Sequence, residues 1–301
     1  KLRCLSMSMT FKDKVLVIGG SGFLGSHVVD QLILNGYEVT NYDLQPPRYN
    51  GETHHFIQGN ILDVDALKSS IRGNAAVFIF AGLSDLNKGL KDPIGTVELN
   101  ILALTYILET CVQCSVSRVI YSSSIYADTD VGGFYGASKL AAEAYIREYS
   151  RVYNLNHTIV RYGSLYGDRS GLENGLYRMV KDALVSNRAS YEGDAETTRE
   201  YIHVADAAKA TVPLLQEKNN DRTVLLSGMH PIRVRDVLAI VSEVLNLESS
   251  GDIIEREYTG HYVRTPYRSK RQIEKVALSE YVDFGMGIRD LIEYVKSVED
   301  V

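Results

Sequence analysis

Short apolar runs bounded by turn residues recur through the first half of the chain, at residues 15–19, 38–42, 55–58, 76–80, 118–122 and 158–161, and read as strands. Between them the apolar spacing changes to a helical period over residues 22–34, 64–71, 93–112 and 135–153. Asn35-Gly36 supplies a stop for the first of these helices. Most of the strands are apolar throughout rather than alternating, which predicts a parallel sheet covered by helices on both sides. The expected fold class is α/β, a doubly wound sheet of the Rossmann kind. After about residue 163 the alternation loosens into loops rich in Gly and Asp with shorter elements. A smaller α+β unit built on the carboxyl edge of the sheet is therefore expected. Residues 11–165, with 201–230 returning to them, would form the large domain, and residues 166–200 and 231–301 the small one.

Where the first strand gives way to the first helix the sequence is Ile18-Gly19-Gly20-Ser21-Gly22-Phe23-Leu24-Gly25. Glycines at three-residue spacing allow a tight turn, then a close approach of backbone N–H groups to phosphate, then close packing of helix on sheet, with the helix N-terminus facing the anion. With 24 glycines in 301 residues the spacing alone means little, but the strand before it and the helix after it give it meaning. The second strand ends at Asp43, about twenty residues on, where a carboxylate would bind the adenosine ribose and repel a 2′-phosphate. NAD rather than NADP is the expected cofactor; were that reversed, Arg48 would be the phosphate partner.

Composition narrows the partners. Forty-five per cent apolar and 23% charged residues are ordinary for a globular chain, and a net charge of −6 argues against a nucleic-acid or acidic-membrane footprint. No window approaches twenty uninterrupted apolar residues, and the first nine residues are too short for a secretory signal, so a cytoplasmic location is expected. Residues up to about Thr10 read as a leader, with Met7 or Met9 as a natural start. Cys111 and Cys114 fall on one face of a predicted apolar helix with no second pair and no histidine nearby, which predicts reduced, packed thiols. The histidines show no metal-ligand spacing, and no metal is expected.

Tyr135-Gly136-Ala137-Ser138-Lys139 places a phenol and an ammonium four residues apart on one helix face, an arrangement that favours phenolate and so a proton acceptor. In a chain with 20 tyrosines that pair says little by itself. Its position does: it follows the fifth strand, which ends in Ser122-Ser123-Ser124. With the glycines, Asp43, and Phe80-Ala81-Gly82 after the fourth strand, the chain resembles the extended short-chain dehydrogenase/reductase family, in its NAD-dependent nucleotide-sugar epimerase/dehydratase branch, from about Lys14 to the C-terminus. The resemblance implies that Tyr135 is the acid/base, that Lys139 lowers its pKa and holds the nicotinamide ribose, and that one serine is their hydroxyl partner. Spacing from the basic residue opening the fifth strand reaches Ser124; counting back from Tyr126 gives Ser122. It further implies cofactor contacts at Gly19, Gly22, Phe23, Leu24, Asp43, Asn60, Ile61, Ala81, Gly82 and Tyr162, and substrate contacts at Ser84, Ser164, Asn174, Arg199 and Arg268. Asn60 stands where the family has an acid, and Ser164 where it often has asparagine. His203 and Asp206 are implied to be a structural pair under the sheet.

A dehydratase of this family carries acids after the fifth-strand hydroxyl, whereas here Ser124 precedes Ile125-Tyr126. The expectation is therefore epimerisation of a nucleotide-activated sugar at C4 through a transient ketosugar. Decarboxylation, oxidation or reduction of such a sugar, and a non-catalytic NAD-binding regulator, stay open as alternatives. Arg199 and Arg268 are the guanidinium groups expected on the substrate diphosphate. A homodimer is expected through Leu99, Leu102, Tyr106, Ala141, Ala142 and Tyr145, since the two long helices carry more apolar surface than one sheet face can cover.

Overall fold

The computed structural model describes residues 14–49, 52–194, 196–248, 251–254, 261, 263 and 273–299; the expected leader and Arg268 lie outside the described residues. The strands are β1 (Lys14–Ile18), β2 (Glu38–Asp43), β3 (His55–Gln58), β4 (Ala76–Ile79), β5 (Arg118–Ser124), β6 (His157–Tyr162), β7 (Ser164–Tyr166), β8 (Ser190–Glu192), β9 (Thr198–Arg199), β10 (Tyr201–His203), β11 (Arg222–Leu226), β12 (Ile232–Arg233), β13 (Asp252–Ile254) and β14 (Glu274–Lys275). The helices are α1 (Phe23–Leu34), α2 (Val64–Ile71), α3 (Leu86–Lys91), α4 (Pro93–Val97), α5 (Ala103–Gln113), α6 (Gly133–Tyr153), α7 (Gly175–Ser186), α8 (Val204–Thr211), α9 (Val234–Val244) and α10 (Phe284–Val298).

Eight strands form one sheet in the order β14-β11-β6-β5-β4-β1-β2-β3, with every pairing parallel. This is the doubly wound α/β fold that the uniformly apolar strands predict, because a strand covered on both faces has no polar side to show. The remaining strands make two-residue and three-residue pairs, β7 with β10, β8 with β13 and β9 with β12. One sheet face is covered by α1 and α8, whose Val28, Val29, Leu32, Val204 and Ala208 join Val15 and Val17 in a core. The opposite face is covered by α2, α5 and α6, with Leu67, Ile71, Leu104, Leu108 and Ile146 against Leu16 and Ile18. A third core, among α7, α9 and α10, is built from Val180, Ala183, Val237, Val241, Leu291 and Val295. Chain order reverses at β1, which lies between β4 and β2, so a crevice opens beyond the carboxyl ends of these strands.

One predicted helix is interrupted. The run over 93–112 is α4, then a π turn at Glu98–Leu102, then α5. The wide turn carries Asn100, which is buried and holds the loop after β4: its Oδ1 accepts from Leu83 N at 2.7 Å, and its Nδ2 donates to Leu83 O and Ser138 Oγ at 2.9 Å each. Apolar periodicity does not mark this bulge, because the apolar run Ile101-Leu102-Ala103-Leu104 continues across its end and blurs the shift in phase. Pro93–Gln113 has the length and apolarity of a membrane span, yet Ala103, Leu104, Ile107, Leu108 and Cys111 on it are buried. Of the residues expected at a dimer contact, Leu99 and Ala142 turn inward, Leu99 to the crevice and Ala142 to the core. The outer face keeps Leu102 and Tyr145 exposed and adds Ile94, Val97 and Leu140.

Candidate active site

A cleft of about 740 Å³ lies at the reversal point, within the range of small-molecule sites. Its floor is the turn between β1 and α1. Gly19 has φ +89°, and a Cβ there would run into the Ala81 backbone. Gly25 packs against the Gly19 carbonyl in the same way, while a Cβ at Gly22 would meet only the Gly19 carbonyl oxygen, at 3.4 Å. The turn thus needs glycine for two internal contacts and lines the cleft through Gly19, Gly22, Phe23 and Leu24. Asp43, at the end of β2, accepts from Ser21 N at 2.9 Å and Gln45 N at 3.0 Å, which fixes its carboxylate on the cleft wall. Gly19, Gly22, Phe23, Leu24, Asp43, Asn60, Ile61, Ala81, Gly82 and Tyr162 all line this cleft. The Asn60 Oδ1 already accepts from Leu62 N at 2.9 Å, so a ligand amine would share that oxygen.

Across the cleft, the three serines ending β5 take three different partners. Ser124 Oγ accepts from Tyr126 N at 3.3 Å and faces the Tyr135 phenol, whose pKa it acts to lower, the Ser122 carbonyl accepts from Lys139 Nζ at 2.8 Å, and the Ser123 hydroxyl donates to Glu143 at 2.7 Å. All three serines line the cleft. Gly132, at φ +100°, lets the chain enter α6 so that Tyr135 and Lys139 stand on its inner face. Lys139 Nζ lies 4.8 Å from the Tyr121 ring centre and 5.9 Å from that of Tyr135. Burial raises Tyr135 above the usual phenol range, against the Ser124 hydrogen bond, which favours the phenolate. Burial likewise pulls Lys139 down to about 8, with the charge of Glu143 acting in the opposite direction. A weakly held proton on the ammonium beside a phenol suits reversible proton transfer.

The substrate residues divide. Ser84 lies on the cleft wall and Asn174 does too, but Asn174 also caps α7, accepting from Leu176 N and Tyr177 N while donating to Leu165 O. Ser164 and Arg199 are not on the wall. Ser164 pairs with Tyr201 between β7 and β10, and Arg199 donates to its neighbour's carbonyl, Thr198 O, at 2.9 Å. Arg199 and Arg178 still border the site indirectly. With burial they push His261 down to about 4, Asp85 opposing, and His261 Nδ1 lies 2.9 Å from the hydroxyl of Tyr126, whose ring packs edge-on to Tyr135. His203 caps α8 through Ala205 N, and Asp206 accepts from Val282 N, which ties α8 to the start of α10. Sequence reasoning missed Asn100, Lys88 and Glu143. For Glu143 a signal existed: an acid in Leu140-Ala141-Ala142-Glu143, four residues beyond Lys139.

The model of the NAD dependent epimerase/dehydratase family matches residues 15–226. The chain belongs to this family. NAD is thus its cofactor, and the glycine turn, Asp43 and the helix carrying Tyr135 and Lys139 open on one cleft that can receive it. Among relatives, the chain is 25% identical to a putative UDP-glucose 4-epimerase of Methanocaldococcus jannaschii, over 94% of this chain and 98% of that one. It is 24% identical to a UDP-N-acetyl-alpha-D-glucosaminuronate decarboxylase of Bacillus cytotoxicus, over 96% and 99%. The fold is that of the UDP-glucose 4-epimerase of Thermotoga maritima solved with UDP-glucose, at TM-score 0.80 and 23% identity over 94% and 99% of the two chains.

Proposed function

We propose that this family member is a 4-epimerase of a nucleotide-activated sugar. The observation that carries the reading is the Ser124–Tyr135–Lys139 group beside the cleft, with Ile125 and Tyr126 where a second acid would be needed to remove water. Tyr135 takes the proton of the C4 hydroxyl, Ser124 steadies the same oxygen, and the Lys139 ammonium favours the phenolate. Bound NAD supplies a hydride acceptor that can return the hydride. The ketosugar needs only to present its other face, after which Tyr135 returns the proton. Asn100 keeps the loop Ala81-Gly82-Leu83 against α6, so that the cofactor wall and the proton-transfer wall stay in register.

Arg199, with Arg268, is our candidate for the substrate diphosphate; both belong to the smaller unit, which we take as residues 166–200 and 231–301. The NAD-binding unit would comprise 11–165 and 201–230. We further propose a cytoplasmic homodimer, with no nucleic acid or membrane as partner. The test is a panel of sugar nucleotides mixed with the purified protein, with products identified by NMR. Inversion at C4 supports the reading. Loss of carbon dioxide, or accumulation of an oxidised or reduced sugar, replaces it with one of the family's other reactions, of which the decarboxylase relative is an example. A protein that holds NAD and turns over no member of the panel would be a regulator.

A further inference from the structure

Glu143 has no solvent exposure, and its carboxylate accepts four hydrogen bonds. Ser123 Oγ and Arg161 Nε each donate to Oε1 at 2.7 Å; Arg161 Nη2 and Arg147 Nη1 donate to Oε2 at 2.7 and 3.2 Å. The remaining Arg161 nitrogen, Nη1, reaches Asp128 Oδ2 at 3.3 Å, in the turn that follows Ser124. One side chain therefore touches the end of β5, the end of β6 and, through Arg161, the turn after the reacting serine. It stands on α6 one helical turn beyond Lys139 and two beyond Tyr135, on the same face. A buried carboxylate costs several kcal/mol unless fully paired, so a purely mechanical tie would be served more cheaply by a neutral side chain. The two carboxylates Glu143 and Asp128 balance the two guanidiniums Arg161 and Arg147, which leaves the Lys139 amine as the buried charge with Glu143 beside it.

We propose that Glu143 is a positioning residue of the reaction: its carboxylate ties β5, the turn after Ser124 and β6 to the helix carrying Tyr135 and Lys139, one turn from the Lys139 amine on the same helix face. The proposal rests on the reading of Tyr135 and Lys139 as the reacting pair. The groups facing Lys139 are the Ser122 carbonyl and Tyr121 from β5 and Tyr135 and Glu143 from α6; those facing Glu143 are Ser123, Arg161 and Arg147. Burial lowers Lys139 and Glu143 opposes it. Removing the negative charge should then release the proton near neutral pH, whereas removing only a hydrogen bond should not.

The test is a pH titration of 13Cε-lysine NMR signals in the protein as purified, with Lys139 assigned by its loss in Lys139→Met and no sugar present. Glu143→Gln is expected to move the Lys139 midpoint down by about one unit or more, the scale of a lost opposite charge nearby. Ser123→Ala should leave the midpoint in place although it breaks one of the four bonds. The alkaline limb of kcat should move towards acid in Glu143→Gln in step with the NMR midpoint. If Glu143→Gln does not fold, Glu143→Asp, which keeps the charge but draws it back from the Lys139 amine by one methylene, is expected to move the midpoint down by a smaller amount. An unchanged midpoint in the variant that folds reduces Glu143 to a structural tie and overturns the proposal. So does a wild-type Lys139 that is already neutral at pH 7, a result that needs no variant. Because no sugar is present, a chain that proved to be a decarboxylase would leave this test standing.

Discussion

At the level of single residues, the site depends on a few side chains whose burial sets their chemistry. Tyr135→Phe keeps the ring and its packing against Tyr126 but removes the transferable proton. Turnover should fall by roughly 10²–10⁴-fold with NAD still bound, as read by steady-state rate and cofactor absorbance. Lys139 sets the pH range. Its ammonium is lost as pH rises through about 8, so kcat should decline on the alkaline side from there. Stability has the opposite sign: the folded-state pKa lies below the unfolded value of 10.5, so between about 8 and that value the unfolded chain binds more protons and stability rises with pH. A melting temperature that rises from this group while activity falls would identify it. Asp43→Ala should narrow the preference for NAD over NADP in binding titrations, because it removes the carboxylate that would repel a 2′-phosphate. These three residues were legible in the sequence because each sits at a fixed offset from a strand end. The spacing of Glu143 from Lys139 was visible too, but its pairing with Arg161 was not, since that contact joins strand and helix and no local pattern encodes it.

Among the elements, six of the eight parallel strands were legible from short runs bounded by turn residues, and their ends fell within one or two residues of the observed ones, the usual latitude of helix and strand boundaries; β11 and β14, beyond the regular alternation, were not predicted. The π turn at Glu98–Leu102 was not legible. Its function is the placement of Asn100, which satisfies both polar groups of Leu83 and reaches Ser138 on α6. Asn100→Leu keeps the volume but leaves a part-buried N–H and carbonyl unpaired. It should cost about 1–3 kcal/mol per unsatisfied group in denaturant unfolding, and it should weaken NAD binding through the displaced Ala81-Gly82 loop. Asn100→Ala retaining full stability and NAD affinity would remove that role from the turn. Ser164 shows the reverse limit: a motif offset pointed to the cleft, whose wall includes its neighbours Gly163 and Leu165 but not Ser164.

Across the whole molecule, α4, the π turn after it and α6 expose Ile94, Val97, Leu102, Leu140 and Tyr145, apolar surface of the kind that marks association. A dimer through this face predicts a light-scattering mass of two chains at micromolar concentration and one chain for Tyr145→Glu with Leu102→Glu. A monomeric wild type rules it out. Periodicity had marked these helices as over-apolar, but it could not tell that Leu99 belongs to the cleft and Ala142 to the core, because both lie at helical spacing from exposed neighbours. The overall architecture, with sheet, glycine turn and proton-transfer helix meeting at one crevice, followed from the order of the motifs; the organisation of the smaller unit did not, because its elements are short and its core is shared among α7, α9 and α10. Inversion of a sugar carbon in this crevice, with return of the hydride to the same carbon, is read by proton NMR of nucleotide sugars incubated with the protein in D₂O. A C4 epimer with unchanged mass and no deuterium at C4 is the expected product; a product lacking carbon dioxide or water, or deuterium incorporated at C4, would overturn the proposed reaction.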